Sequence, residues 1–165
     1  MYKNNISIIV AIAENYAIGK DNKLLCHISE DLKRFKRLTT GNKVIMGKST
    51  FLSLPKGPLP NRTNIVISDN KNETFEGCLM AYSIEEAIDL CDKEKECFII
   101  GGGMIYKQFL PYTNRLYLTR IHHFFEGDVF FPEINFDEWD ILEQEYLEAD
   151  EKNEFPHTYM ECVRK

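Results

Sequence analysis

The 165-residue chain has no apolar run approaching the length of a membrane span, no low-complexity tract, no internal repeat and no composition shift that marks a linker. Those absences point to one domain over residues 1–165, long enough to bury a substantial core. A basic excess is missing too. The formal net charge of -6 argues against holding a nucleic-acid backbone by general electrostatics, although a local patch can still take a small anion. No Cys-x-x-Cys pair occurs among Cys26, Cys78, Cys91, Cys97 and Cys162, and pairing would leave one over, which suits reduced thiols in the cytoplasm. No Cys or His partner stands at zinc-site spacing from His122 or His123, so no metal site is expected. Near the N-terminus, Ala11-Ile12-Ala13 resembles a signal-peptidase site, but the apolar run before it is too short for a leader. The expectation is a cytoplasmic protein, monomeric, without a membrane or nucleic-acid partner.

What is present alternates. Ile6 to Ala13 reads as a continuous buried strand, followed by the polar loop ENYAIGKDNK and a helix for which Ser29 looks like the N-cap. KVIMG is a short strand, a helix opens near Lys48 to Thr50, and PKGPLPN is rich in turn residues. Thr63 to Ser68 and Cys78 to Tyr82 are further strands, and Ser83 and Glu86 have capping-box spacing. CFIIGGGMIYKQFL reads as strand, three glycines and helix, after which Leu116 to Ile121, Trp139 to Tyr146 and Thr158 to Val163 are strands without intervening helices. This order predicts an α/β domain with a mostly parallel sheet that gains antiparallel strands near one edge.

The stretch LLCHISEDLKRFKRL places a carboxylate among apolar positions. Ile28, Leu32, Phe35 and Leu38 recur three and four apart and form one helical stripe, with Asp31 on it, whereas Glu30, Lys33, Arg34 and Lys36 fall largely on the wet side. Two readings of Asp31 stand at this point. An acid in a first turn interacts favourably with the helix dipole, by roughly 0.3–1 kcal/mol. Alternatively it is a partly buried acid held for a ligand, since such groups seldom sit in apolar surroundings without a partner.

Two glycine sites point to phosphate. Gly101-Gly102-Gly103 lies between the strand FII and a helix, where glycine permits positive φ and close main-chain approach. The third glycine of a dinucleotide fingerprint is absent, because Tyr106 occupies its place. Gly47 ends the strand KVIMG in the same way and is followed by Lys48, Ser49 and Thr50, a cation and two hydroxyls. Asn42 stands where a P-loop needs its first glycine. Arg62, directly after a turn, offers a planar fork that pairs with a carboxylate through two hydrogen bonds. Each feature also has an ordinary structural explanation as a turn, a cap or a surface charge.

Taken together, ISIIVAIAENYAIGKDN, EDLKRFK, VIMGKSTFLSL, PLPNRTNIVIS, FIIGGGMIYKQFLP, LYLTRI and EGDVFFP resemble dihydrofolate reductase over essentially the whole chain. The resemblance implies a mostly parallel eight-stranded sheet flanked by four helices with an antiparallel C-terminal strand. It implies hydride transfer from NADPH to 7,8-dihydrofolate, giving the tetrahydrofolate that supports one-carbon metabolism, and sensitivity to antifolates. Asp31 matches the acid that anchors the pterin. Ile9, Val10, Leu32, Phe35, Leu54 and Ile100 would line the pterin and aminobenzoate pocket, Thr119 would support Asp31 through the pterin or a water, and Arg62 would grip the glutamate tail. Ala11, Ile18 and Gly19 would meet the nicotinamide. Gly47, Lys48, Ser49 and Thr50, with Gly101, Gly102, Gly103, Met104, Ile105 and Tyr106, would hold the phosphate region, and Ser68 the adenosine side. ENYAIGKDNK would be a lid.

Two departures stand out. Leu25-Cys26 replaces the Pro-Trp usual in the family, leaving a smaller, weakly hydrogen-bonding side chain beside the pterin. Asp69 follows Ser68, where a negative charge would oppose the 2′-phosphate of NADPH. A pterin or pyrimidine reductase of the same fold, and a non-catalytic nucleotide or pterin binder, are the competing readings.

Overall fold

The computed structural model describes residues 5–20 and 24–165, and contains an eight-stranded sheet, a two-stranded ribbon and four α-helices. The strands are β1 (Ile6–Ala13), β2 (Ala17–Gly19), β3 (Lys43–Gly47), β4 (Thr63–Ile67), β5 (Cys78–Ala81), β6 (Cys97–Ile99), β7 (Arg115–Ile121), β8 (Val129–Phe130), β9 (Trp139–Leu147) and β10 (His157–Arg164). The helices are α1 (Ser29–Thr39), α2 (Lys48–Ser53), α3 (Ile84–Asp89) and α4 (Gly103–Phe109). The main sheet runs β5-β4-β3-β6-β1-β7-β10-β9. Only β10 opposes its neighbours, pairing antiparallel with both β7 and β9, so the expected parallel sheet with one antiparallel C-terminal strand is what forms.

Alternation along the strands divides the core into two layers. Ile6, Ile8, Val10 and Ile12 of β1 pack with Ala87 of α3 and with Tyr106 and Phe109 of α4. On the opposite face, Val44, Met46, Val66, Phe98 and Tyr117 pack with Phe51 of α2, and Ile9, Leu38 and Leu54 join them. Both faces of the central strands are therefore covered, which is why their sequences read as unbroken apolar runs. Among the described residues no helix is long and apolar enough to cross a membrane.

Three local readings change. Ile28 holds the N-cap position of α1, without a side-chain cap. The free donors of the first turn are taken from a distance instead, Ser29 N–H by the Lys152 carbonyl at 3.1 Å and Glu30 N–H by Asn153 Oδ1 at 3.0 Å. Arg34 is buried rather than wet, its guanidinium 3.5 Å from the centre of the Tyr159 ring. The loop ENYAIGKDNK contains β2, which pairs with β8 from the EGDVFFP segment. Its residues 21–23 lie outside the described residues. Ser83 caps α3 as expected, its hydroxyl accepting from Glu86 N–H at 3.0 Å, while the Glu86 carboxylate reaches one residue past the cap to accept from Tyr82 N–H at 2.7 Å.

Candidate active site

The two glycine sites, far apart in sequence, meet at the carboxyl ends of adjacent strands. Gly47 at the end of β3 donates its N–H to the Gly101 carbonyl just after β6 at 2.8 Å. A cleft at the carboxyl edge of parallel strands is the usual place for a ligand in an open α/β sheet. Here it is a cavity of about 770 Å³ that runs from Asp31 on α1 to Gly101–Gly103.

Asp31 stands at one end with its side chain 26% exposed, toward the cavity. The Thr119 hydroxyl on β7 donates directly to Oδ1, a closer link than support through a pterin or water. Arg34 Nη1 lies 3.9 Å from the same oxygen. Burial pushes the Asp31 carboxyl above the usual range, while the Thr119 hydrogen bond, the Arg34 charge and the His157 imidazole pull it down. Arg34 stands three residues after Asp31 on α1, a helical spacing that brings the two charges together, whereas His157 comes from β10 with no local pattern that marks it. His157 is fully buried, with Nδ1 3.1 Å from the Phe155 carbonyl and Nε2 without a hydrogen-bond partner among the described residues.

Ile9, Val10, Leu32, Phe35, Leu54 and Ile100 line the cavity. Leu32 is 43% exposed, so on α1 the stripe assigned to the core turns partly toward this open space. Arg62 lines the cavity too, held by Nε to the Pro60 carbonyl at 2.9 Å and by Nη1 to Thr39 Oγ1 at 3.0 Å. Thr39, fully buried and bonded through its hydroxyl to the Phe35 carbonyl at 2.7 Å, was silent in the sequence. Cys26 also lines the cavity, and its thiol is pushed up to about 11 by burial first, then by the charges of Glu154 and Asp31. A neutral thiol there is no nucleophile.

Ala11, Ile18 and Gly19 line the same cavity, as do Thr50, Gly101, Gly102, Gly103 and Tyr106. Gly101 has φ +122, a conformation open to glycine. A Cβ at Gly103 would lie 2.6 Å from Val129 Cγ1, so the β2–β8 ribbon packs on bare main chain at that turn. Tyr106 is buried and its hydroxyl donates to the Ile9 carbonyl at 3.0 Å. Burial, then the Asp31 charge, push that hydroxyl up. It braces the wall instead of offering a charge.

The other residues that the resemblance names for the dinucleotide, Gly47, Lys48, Ser49, Ser68, Met104 and Ile105, are outside the cavity lining. Gly47 and Ile105 pack on each other, so that a Cβ at Gly47 would lie 3.0 Å from Ile105 Cγ1. Met104 is 70% exposed and Ser49 is exposed. Lys48 Nζ sits 2.7 Å from Glu73 Oε2, and the Ser68 hydroxyl donates to Glu73 Oε1 at 2.6 Å. These two contacts hold the Glu73 carboxyl below its usual range, the Lys48 bond first. Asp69, the acid singled out in the sequence, is exposed. Glu73 was missed because no short spacing links it to Lys48.

The residues fit a reduced dinucleotide beside a flat heterocycle: an apolar slot with one acid among the described residues, opening onto a glycine turn that brings no side chains of its own, with hydroxyls and a cation beyond. A protein-family model described as dihydrofolate reductase matches residues 5–164. A dihydrofolate reductase of Bacillus subtilis is 42% identical over 160 residues, covering 97% of this chain and 95% of that one. Another, from Haemophilus influenzae, is 44% identical over 159 residues, covering 96% and 98%. A solved structure of the Enterococcus faecalis dihydrofolate reductase, complexed with NADP(H) and RAB-propyl, superposes with a TM-score of 0.91 at 38% identity, covering 99% of this chain and 98% of that chain.

Proposed function

Since the chain belongs to the dihydrofolate reductase family and reduces 7,8-dihydrofolate to 5,6,7,8-tetrahydrofolate with NADPH, we propose that Asp31 anchors the pterin and promotes its protonation. When bound, NADPH supplies the hydride that adds to the carbon of the pterin C=N bond, and the nitrogen of that bond takes a proton. Asp31 accepts hydrogen bonds from the pterin amino group and neighbouring ring nitrogen, and its charge raises the proton affinity of the reacting nitrogen. A water is the final donor.

Thr119 holds the carboxylate in place from β7, and Arg34 limits the cost of keeping it charged beneath an apolar wall. Ile9, Val10, Leu32, Phe35, Leu54 and Ile100 take the pterin and aminobenzoate faces and exclude bulk water. Arg62, aimed by Thr39 and the Pro60 carbonyl, takes the glutamate carboxylate. Ala11, Ile18 and Gly19 meet the nicotinamide, and Gly47–Thr50, Gly101–Ile105 and Ser68 follow the rest of the dinucleotide, with Tyr106 as the support beneath. Residues 14–23 act as the lid, part of it as β2 against β8.

The single observation that carries this reading is one cavity joining Asp31 to the glycine turn. We read the same chain as one domain over residues 1–165, supported by a sheet that draws strands from Ile6 to Arg164, and as a cytoplasmic monomer open to antifolates. Initial rates of NADPH oxidation with dihydrofolate, measured across pH for the native chain and Asp31→Asn, test the assignment. A variant as fast as the native chain at neutral pH removes Asp31 from the mechanism.

A further inference from the structure

Lys48 follows β3 and Ser68 follows β4, and the parallel register Gly47↔Ile67 makes the two residues neighbours across the strand ends. An ammonium and a hydroxyl at that separation suit a tetrahedral anion. In this chain an internal carboxylate already holds both. The turn after β4 is built to deliver it: Ser68 Oγ accepts from Asn70 N–H at 3.1 Å, Glu73 N–H donates to the Asn70 carbonyl at 3.0 Å, and Tyr82 OH donates to the Glu73 carbonyl at 2.8 Å. Backbone contacts therefore fix Glu73 independently of its side chain. The carboxylate is 19% exposed and Lys48 45% exposed, so solvent screens the pair only in part.

We propose that Glu73 is a specificity-determining residue whose carboxylate competes with a phosphomonoester on the adenosine ribose for Lys48 and Ser68. The inference rests on the reading that the adenosine side of the dinucleotide lies at these two residues. A phosphomonoester dianion arriving there must break the 2.7 Å Lys48–Glu73 pair and then stand beside the displaced negative charge. A ribose with a free hydroxyl does neither. Glu73 thus weakens the phosphorylated dinucleotide selectively, narrowing its preference over the unphosphorylated one, a discrimination set by repulsion as much as by attraction. The exposed Asp69 has no such position.

The test is calorimetric binding of adenosine 2′,5′-bisphosphate and adenosine 5′-monophosphate, with steady-state KM for NADPH and NADH measured in parallel. Glu73→Gln keeps an acceptor for Ser68 and removes the charge. It is expected to tighten the 2′-phosphorylated probe about three- to tenfold while the monophosphate stays within about twofold, with the gain shrinking in high salt. Glu73→Ala is expected to give the same ordering, which separates charge from side-chain shape. Equal changes for both probes would make Glu73 a turn support only, and no change for either would remove it from recognition; both overturn the proposal. Lys48→Met distinguishes the underlying reading. If it leaves the preference of the otherwise native chain for the 2′-phosphorylated probe intact, the phosphate does not lie at Lys48, and the site assignment falls with the proposal.

Discussion

The Thr119 hydroxyl on β7 donates to the Asp31 carboxylate on α1, tying the only acid lining the cavity among the described residues to the sheet beneath it. The contact fixes the acid and lowers its pKa against the burial that raises it. Removing either partner therefore has a definite sign.

Asp31→Asn is expected to lower turnover at neutral pH by about 10²–10⁴-fold, with partial recovery in acid as the substrate protonates from solution. The raised folded pKa of Asp31 also makes a stability statement. Between the unfolded value and the higher folded value the native state binds more protons, so this contribution is full below that window and is lost as pH rises through it. The amide of the variant carries no charge to desolvate. Thermal unfolding at pH 7 should place the melting temperature of Asp31→Asn above that of the native chain, on the order of 2 °C, with the difference fading below the unfolded carboxylate range.

Thr119→Val keeps the shape and deletes the donor. The Asp31 pKa should rise, and the pH profile of single-turnover hydride transfer should move toward alkaline pH. A profile that stays in place would show that the hydroxyl has no electrostatic part.

Arg62→Lys tests the aimed fork. Lysine cannot reproduce the planar, bidentate geometry that Thr39 and the Pro60 carbonyl set up. KM for dihydrofolate should rise by roughly tenfold with kcat little altered, and a folate analogue without the glutamate tail should not discriminate the two enzymes. An equal loss for both substrates would make Arg62 a packing residue.

Asn153→Ala removes the distant cap of α1. The loss of one N-terminal acceptor costs about 1 kcal/mol, read as a lower urea midpoint at unchanged slope. Because α1 carries Asp31, KM for dihydrofolate should increase as well, an effect absent if the 150–154 turn and the helix are independent.

Cys26, with its thiol at about 11, should react with a disulfide reagent at pH 8 at least about tenfold more slowly than a free thiol of pKa 8.5, as judged by the phase lost in Cys26→Ser. Cys26→Trp should change antifolate affinity, since a large ring would occupy cavity space that the thiol leaves open. Inhibition constants for native and variant enzyme check this.

The amino-acid sequence by itself determined the apolar strands, the glycine turns after β3 and β6, and the identity of the acid on α1. These are local: a two-residue or 3.6-residue period and the backbone freedom of glycine operate within a few positions, and their order along the chain carried the resemblance. Only the tertiary structure decided what those groups face. Arg34 is buried because β10 brings Tyr159 beneath it, α1 is capped because the turn at Asn153 returns to its start, and Lys48 meets Glu73 because the register of β3 and β4 aligns their ends. Such partners come from distant segments, and burial, charge pairing and pKa depend on them rather than on any periodicity a sequence can display.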